Sequence, residues 1–428
     1  VHAPHASYDL AVIGAGLAGM AAAVYAGNRG LATVQVGNAG ALLFSSGLLD
    51  LMGVHPVAEG REWSDPFAAM AAVAADVPGH PYAKVTAADA RAAFGELVGA
   101  LGAAGLAYGP PGEANCRVIT GLGTLKTTYC VPRTMQPGVA ALAERPPCLL
   151  VDFEGLREFS ARGIVEALKG GWPGLRAARL DYPARVVAGE AYAAHLARAL
   201  ELRANRAALC ASIRPHLGDA RAVGLPAVLG VQRTGVVAGE LTAWLGVPVF
   251  EIPTMPTSVP GLRLKEALER AVAARRVRRV VQSRAAAVVP EGDRFAVHLE
   301  GGPPGASPLT ARAVVLATGR FMGRGLVADR GRVREALMDL RVVQPPTRAG
   351  WHHPDLLDPR GHPLNRAGVD VDAALRPCDE AGRPVHPRLF AAGTLLAHHD
   401  WARMKCGAGI ALATAFAAVG AVARGGGA

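Results

Sequence analysis

The chain has 428 residues, with 45 Lys or Arg against 35 Asp or Glu, for a formal charge of +10. Half of the residues are hydrophobic (51%) and 19% are charged, which excludes a disordered or fibrous chain, and the 52 glycines show no triplet period, which excludes collagen. At roughly 150 residues per domain, the length suggests two or three domains.

The first seven residues, Val-His-Ala-Pro-His-Ala-Ser, show no basic region followed by an apolar stretch, so no signal peptide is expected. Residues 8–13 (YDLAVI) are a short apolar run with β-branched members and predict a strand. They lead into Gly14-Ala15-Gly16-Leu17-Ala18-Gly19, an Ala-rich helix to Asn28, a stop at Arg29-Gly30 and a second strand from Leu31 to Val36. Strand, glycine turn, helix and strand in this order form the βαβ dinucleotide-binding fingerprint. Gly14 permits the tight turn, Gly16 lets backbone approach a phosphate, and Gly19 lets the helix pack closely on the strand. The helix N-terminus offers unpaired N–H groups and a partial positive charge to that phosphate. The acid that usually grips an adenosine ribose is missing. Its position falls near Gly37, and no Asp or Glu occurs between Leu31 and Leu49. Either backbone alone holds an adenosine, or the cofactor lacks one.

Six cysteines (Cys116, Cys130, Cys148, Cys210, Cys378 and Cys406) include no CxxC pair. This excludes a zinc ribbon and a locally spaced ferredoxin-type cluster; no metal site is expected, and scattered free thiols fit a reducing compartment. Basic charge concentrates between Arg270 and Arg284. This run reads as a solvated helix end and edge strand, or as a patch for an anionic membrane surface or a partner protein. Nucleic acid is disfavoured, because no aromatic interleaves with the arginines for base stacking. Residues 312–319 (RAVVLATG) and 388–393 (RLFAAG) predict two buried strands that end at Gly319 and Gly393. Gly407-Ala408-Gly409 then open an uncharged helix to about Ala423, which is short of the roughly 20 apolar residues of a membrane span. A buried helix on the sheet is expected, its first N–H groups suited to a flavin ring or phosphate.

Together these parts resemble the flavoproteins with two dinucleotide-binding domains, an α/β class with an FAD/NAD(P)-binding Rossmann-like domain. The likeness narrows at Phe44-Ser45-Ser46-Gly47-Leu48-Leu49-Asp50-Leu51, which is similar to the FSSG-x-LDL string of the B-subunit family of anaerobic glycerol-3-phosphate dehydrogenase. Further similar strings follow in the same order: His80-Pro81-Tyr82, residues 122–126 (LGTLK), 253–264 (PTMPTSVPGLRL), 325–328 (GLVA) and 389–393 (LFAAG). They span almost the whole chain. The chain departs from the family at Cys406-Gly407-Ala408-Gly409, where the family has GCGGG, and residues 130–215 carry nothing over.

The resemblance implies a flavin, usually FMN in that family, with FAD as the alternative. It implies a complex with a catalytic FAD subunit and an iron–sulfur subunit, held peripherally at the cytoplasmic side of the inner membrane. The implied reaction oxidises sn-glycerol 3-phosphate to dihydroxyacetone phosphate and passes electrons to a quinone. The missing ribose acid fits FMN, and the missing CxxC pairs fit a chain that leaves the clusters to a partner. Two other functions stay open: a self-contained flavin-dependent oxidoreductase for another substrate, and a non-catalytic membrane-docking scaffold.

The flavin domain is expected to be discontinuous, at 1–60, 262–345 and 385–428. A large inserted α/β cap or substrate domain is expected at 61–261, with strands at Cys148–Asp152 and Ala227–Val231 and a helix over Glu190–Leu202. Residues 346–384 read as a covering loop. The cofactor-binding candidates are Gly14, Ala15, Gly16, Leu17, Ala18, Gly19, Ser45, Ser46, Gly47, Gly319, Gly393, Gly407, Ala408 and Gly409. Oxidising an alcohol needs a base for the hydroxyl proton. His399, in His398-His399-Asp400 between the last strand and the glycine helix, is the candidate, and His352-His353 lie in the covering loop. Lys126 is the second catalytic candidate, facing a flavin carbonyl or a phosphate. Arg320 and Arg324 follow the ATG strand and are candidates to hold a phosphate. No Ser-His-Asp order, HExxH or Walker string occurs, so hydrolase and P-loop chemistry have no support.

Overall fold

The computed structural model describes residues 7–38, 40–182, 191–301 and 307–425. The reading of the first six residues, and of Glu190 as the start of a helix, lies outside them. The chain divides into two compact units. Unit 1 comprises Val1–Ala41, Leu49–Ala100 and Leu268–Ala428, and unit 2 comprises Leu42–Leu48 and Leu101–Ala267.

The core of unit 1 is a seven-stranded sheet. Strand β1 (Ser7–Ile13) runs parallel to β2 (Thr33–Val36), and α1 (Leu17–Asn28) joins them. The sheet order continues outward from β2 to β9 (Arg278–Val280) at one edge. On its other side β1 pairs in parallel with β12 (Leu309–Leu316). The far edge of β12 is divided. Its first residues pair antiparallel with β11 (Arg294–Leu299), which in turn pairs with β10 (Ala285–Glu291). Its last three pair in parallel with β17 (Leu389–Ala391). Near-continuous burial along β1, β2 and β12 matches their apolar composition, as expected for strands covered on both faces.

Helix α11 (Gly407–Ala423) lies against α1, where Phe416 meets Tyr25 edge-on at 5.3 Å. The lack of any charge in α11 follows from this burial. Among the described residues no helix is long and apolar enough to cross a membrane. Unit 1 also holds α2 (Pro66–Asp76), most of α3 (Ala87–Ala103), the hairpin of β13 (Leu326–Ala328) with β14 (Val333–Glu335), the antiparallel pair of β15 (Val342–Val343) with the more distant β16 (Gly368–Val369), and the short α10 (Trp401–Met404). Asp65 starts α2 by accepting the N–H groups of Phe67 and Ala68 at 2.8 and 3.0 Å.

Unit 2 holds a four-stranded parallel sheet in the order β6-β5-β7-β8, formed by β5 (Cys148–Phe153), β6 (Leu175–Leu180), β7 (Ala222–Pro226) and β8 (Val249–Ile252). Among the described residues, four helices join its strands: α5 (Ala161–Leu168), α6 (Ala193–Ala199), α7 (Arg203–Leu217) and α8 (Thr234–Leu245). The hairpin of β3 (Cys116–Ile119) and β4 (Leu125–Thr128), with α4 (Gln136–Glu144), precedes the sheet, and α9 (Val259–Ala273) follows it. The basic run therefore forms the end of α9 and the edge strand β9.

The observed division differs from the sequence reading in four places, the smallest being residues 262–267, which belong to unit 2 and not to the flavin domain. Residues 61–100 belong to unit 1, because α3 is pinned to α1: Tyr25 Oη donates to Ala93 O at 2.8 Å, and Arg29 pairs with Glu96 at 3.2 Å. Residues 346–384 also belong to unit 1, through Ala391 N donating to Leu375 O and Ala397 N to Val369 O. Leu42–Leu48 belong to unit 2, where Tyr108 Oη donates to Gly47 O at 2.7 Å. The strand expected at Ala227–Val231 is instead β7 at Ala222–Pro226. The later segment is equally buried but turns away, with Gly230 at φ +79° and its N–H groups directed to the Glu251 and Glu201 carboxylates. Likewise α6 ends at Ala199 and a new helix begins at Arg203.

Two of the family-like strings interlock inside unit 2. Ser258 N donates to Leu43 O at 2.9 Å and Ser258 Oγ to Ser45 O at 2.5 Å, and a side chain on Gly261 would strike the carbonyls of Leu42 and Leu43. The following Arg263 is buried against Glu251 (2.6 Å), whose carboxylate also takes Thr134 Oγ1 and Leu229 N. Removing one partner of a buried pair leaves the other charge uncompensated. Arg263→Ala is expected to destabilise unit 2 by about 3–5 kcal/mol in chemical denaturation.

Candidate functional site

The carboxyl ends of β1, β12 and β17 lie side by side in unit 1, where an open parallel sheet places its ligand crevice. Gly14 follows β1 at φ +121°, and its N–H donates to Val36 O at 2.7 Å. A Cβ on Gly14 would lie 2.2 Å from Ala317 O, and one on Gly19 would lie 2.1 Å from Gly14 O. Both are closed by the protein's own backbone. Gly16 differs: a Cβ there meets nothing within 4 Å. Gly16 is the N-cap of α1, and no side chain caps that end of the helix. The loop thus presents an open side, with uncapped amides, next to the position where backbone approaches a phosphate.

Ala15 and Ala18 are buried and Leu17 half-buried. Gly393, at φ +75°, gives its N–H to Thr414 Oγ1 at 2.9 Å, and its missing side chain leaves room for Ala18. Gly319, at φ +70°, faces Thr394 Oγ1. Next to it, Thr318 Oγ1 is buried without a hydrogen-bond partner. The structure therefore gathers residues 14–19, 319 and 393 at one end of the sheet. Gly37, where a ribose acid would be expected, sits at φ +144°, and a Cβ there would be 3.1–3.2 Å from the Gly14–Ala15 backbone. The missing acid thus has a local cause: the backbone turns against the glycine loop and leaves a side chain little room.

Gly407 and Gly409 make room for protein rather than open space. A Cβ on Gly407 would be 3.2 Å from the Trp401 ring, and one on Gly409 would be 2.1 Å from Tyr82 Oη and 2.6 Å from Leu51 O. Gly409 N already donates to Asp50 O at 2.7 Å, and Ala408 between them is buried. In unit 2, Ser45 and Ser46 use their hydroxyls locally, accepting from Gly47 N at 3.1 Å and Leu48 N at 3.4 Å. Gly47, at φ +77°, packs on Pro260. Lys126 lies half-buried on β4, opposite Val118.

Arg320 does not present itself to a phosphate. Its Nε donates to Thr394 O at 2.7 Å, its Nη2 to Leu396 O at 3.1 Å and His399 O at 2.9 Å, and its Nη1 to Asn365 O. Four of the five N–H groups of a guanidinium are thereby committed. Burial lowers its pKa to about 10. Arg324 is exposed, as is His352, while His353 is half-buried and its N–H donates to His362 Nδ1.

The segment stapled by Arg320 carries His399, which is wholly buried. Its Nδ1 faces Ala397 O at 3.2 Å and its Nε2 has no partner. The ring of His80, also wholly buried, lies at 6.1 Å and 81° from it. His80 occurs in a family-like string, but no role could be read for it, because its partner lies over 300 positions away in the sequence. Burial, then the neighbouring His55, His398 and Arg366, lower the His80 pKa from 6.5 to about 3. Burial and Arg320 hold His399 well below its usual range. Among the described residues no group of three or more His, Cys, Asp or Glu is placed to hold a metal ion.

Residues 9–410 match the family described as "FAD binding domain", which together with the sheet and glycine loop defines the class as a flavoprotein of the FAD-binding Rossmann-like fold. The chain is 34% identical to the probable B subunit of anaerobic glycerol-3-phosphate dehydrogenase from Halobacterium salinarum, covering 97% of this chain and 98% of that one. It is 32% identical to the B subunit from Yersinia pseudotuberculosis, over 95% and 96% of the two chains, and 30% identical to that from Vibrio vulnificus, over 96% and 95%. The chain belongs to the B-subunit family of anaerobic glycerol-3-phosphate dehydrogenase, and it is an oxidoreductase. The residues fit a flavin: the open side of Gly16, the uncapped α1 and the unpartnered Thr318 hydroxyl suit a phosphate-bearing group.

Gly16→Ala is expected to fold with a melting temperature within about 2 °C of the parent and to lose at least about tenfold in flavin affinity, whereas Gly14→Ala and Gly19→Ala lose folded protein and flavin together. Flavin content per folded protein and thermal melts check both outcomes. The depressed His80 pKa makes the unfolded chain the better proton binder between pH 6.5 and about 3. Stability is therefore complete above pH 6.5 and falls as acid is added, by about 2 kcal/mol between pH 7 and 5 for this ring alone. His80→Gln is expected to flatten that part of the pH dependence in denaturation measured at the two pH values.

Proposed function

We propose that this chain is the flavin-carrying member of a glycerol-3-phosphate dehydrogenase complex that oxidises sn-glycerol 3-phosphate to dihydroxyacetone phosphate. The observation that carries this reading is the open cradle at Gly16 in a chain resembling its B-subunit relatives from end to end. A bound flavin supplies the hydride acceptor. The chain's own residues do the rest: the α1 N-terminus and the loop from Gly14 to Gly19 hold the phosphate, Gly393 lets the neighbouring strand end pack against Ala18 of that loop, and the Arg320 staple holds the His399 segment in place. Gly37 supports FMN, since no side chain is offered to an adenosine ribose, while the description of the matched family supports FAD.

The relatives' names support only that a B subunit works beside other subunits; the sequence resemblance implies that these are a catalytic FAD subunit and an iron–sulfur subunit that passes electrons to a quinone. Peripheral docking on an anionic inner-membrane surface has the basic run as its support, with Arg276, Arg278 and Val281 exposed. The purified chain is expected to absorb at about 450 nm as flavins do, and to bleach under anaerobic glycerol 3-phosphate, alone or with its partner subunits. Mass spectrometry of the released cofactor distinguishes FMN from FAD. A colourless protein, or one that ignores glycerol 3-phosphate even in the assembled complex, overturns the reading.

A further inference from the structure

Two buried imidazoles, His80 and His399, are each tied down at Nδ1, one as acceptor and the other as donor. His80 Nδ1 accepts the Tyr82 N–H at 3.1 Å, so its proton sits on Nε2. His399 Nδ1 faces Ala397 O at 3.2 Å. A carbonyl only accepts, so the His399 proton sits on Nδ1 and its Nε2 carries a lone pair. The Arg320 Nη2 near that Nδ1, at 3.4 Å, is already spent on His399 O at 2.9 Å. Each Nε2 is buried without a partner, one as donor and the other as acceptor. Buried polar groups left unpaired are costly and therefore rare, so a complementary couple is informative.

The surroundings keep the couple in register. Gly79 lacks a side chain where the His398 ring packs, with a Cβ there only 2.7 Å from that ring, so the segment carrying His80 lies directly against the segment carrying His399. Arg320 fixes the second segment through three of its carbonyls, those of Thr394, Leu396 and His399, and ties it to Asn365 O. The ring centroids stand 6.1 Å apart at 81°. One oxygen hydrogen-bonded to both nitrogens spans at most about 5.6 Å, which such a pair of rings can bracket.

We infer that His80 and His399 form a two-point site for a single hydroxyl oxygen, with His80 Nε2–H as donor to it and His399 Nε2 as acceptor from it. Assigning that oxygen to the secondary alcohol of glycerol 3-phosphate rests on the function proposed above. A resident water satisfies the same two atoms.

The test is ¹⁵N-histidine NMR on the flavin-loaded full chain at pH 7, with His80→Gln and His399→Gln used to assign the two rings. The expected spectrum shows opposite tautomers, Nε2–H for His80 and Nδ1–H for His399, with both Nε2 signals shifted by hydrogen bonding. If saturating glycerol 3-phosphate moves both Nε2 signals, the oxygen is the substrate's. If they are hydrogen-bonded beforehand and do not move, it is a water. Either result upholds the site. In the substrate case His80→Phe weakens glycerol 3-phosphate binding by at least about tenfold, and His80→Gln, whose amide N–H reaches the same place, restores it to within about threefold. The same tautomer on both rings, or Nε2 signals like those of free imidazole, overturns the inference whatever the variants do. A wild-type protein that ignores glycerol 3-phosphate while keeping the opposite tautomers and hydrogen-bonded Nε2 signals sinks the proposed substrate and leaves the site standing.

Discussion

Backbone crowding at the top of β1 is the constraint from which the rest of unit 1 follows. Ala317 O sits where a Gly14 side chain would be, and Gly14 O sits where a Gly19 side chain would be. These approaches lock the turn onto the end of β12 and pull α1 down on the sheet. With two glycines closed in this way, the remaining one at position 16 is the open member of the loop. Openness at Gly16 is thus a product of tightness at Gly14 and Gly19. A helix beginning there directs its uncapped N–H groups and positive end at whatever enters.

The second organising element is Arg320. Charged groups seldom survive burial unless their hydrogen bonds are met, and this guanidinium meets them on main-chain carbonyls rather than on a carboxylate. It therefore acts as a fixed cation inside the fold. Burial keeps the His399 imidazole neutral, and that cation beside it acts in the same direction. A neutral ring can offer a lone pair, which a protonated one cannot.

Much of unit 1 was legible in the chain. Strands at 8–13, 312–319 and 388–393 announce themselves by unbroken apolar runs, and the glycine spacing has a local geometric meaning that survives without knowledge of the rest. The Ala-rich stretch after Gly409 reads as buried because it lacks charge. Other features were hidden, because they depend on partners distant in sequence. Arg320 looks like a loop residue suited to an anion until the four carbonyls around it are seen. Gly407 and Gly409 look like an open phosphate turn, yet Trp401, Tyr82 and Leu51 fill that space. Residues 222–231 form one apolar run, so burial could not say which half pairs as a strand; the carboxylates that draw the second half away, Glu201 and Glu251, lie 20 or more positions from it. The pinning of α3 to α1, which carries residues 61–100 into unit 1, likewise rests on Tyr25 and Glu96, and neither has any local signature.

The divided edge of β12 has a consequence for biosynthesis. Half of that edge is filled by a strand close behind it in the chain, but the other half waits for Leu389–Ala391, and Gly393 then relies on Thr414. In a nascent polypeptide the glycine turn leaves the ribosome long before Leu389–Ala391, so the wall opposite it arrives late among these residues. The end of the sheet beside the glycine turn is accordingly completed only after both distant segments have been made, and a product that stops before Leu389 lacks that wall.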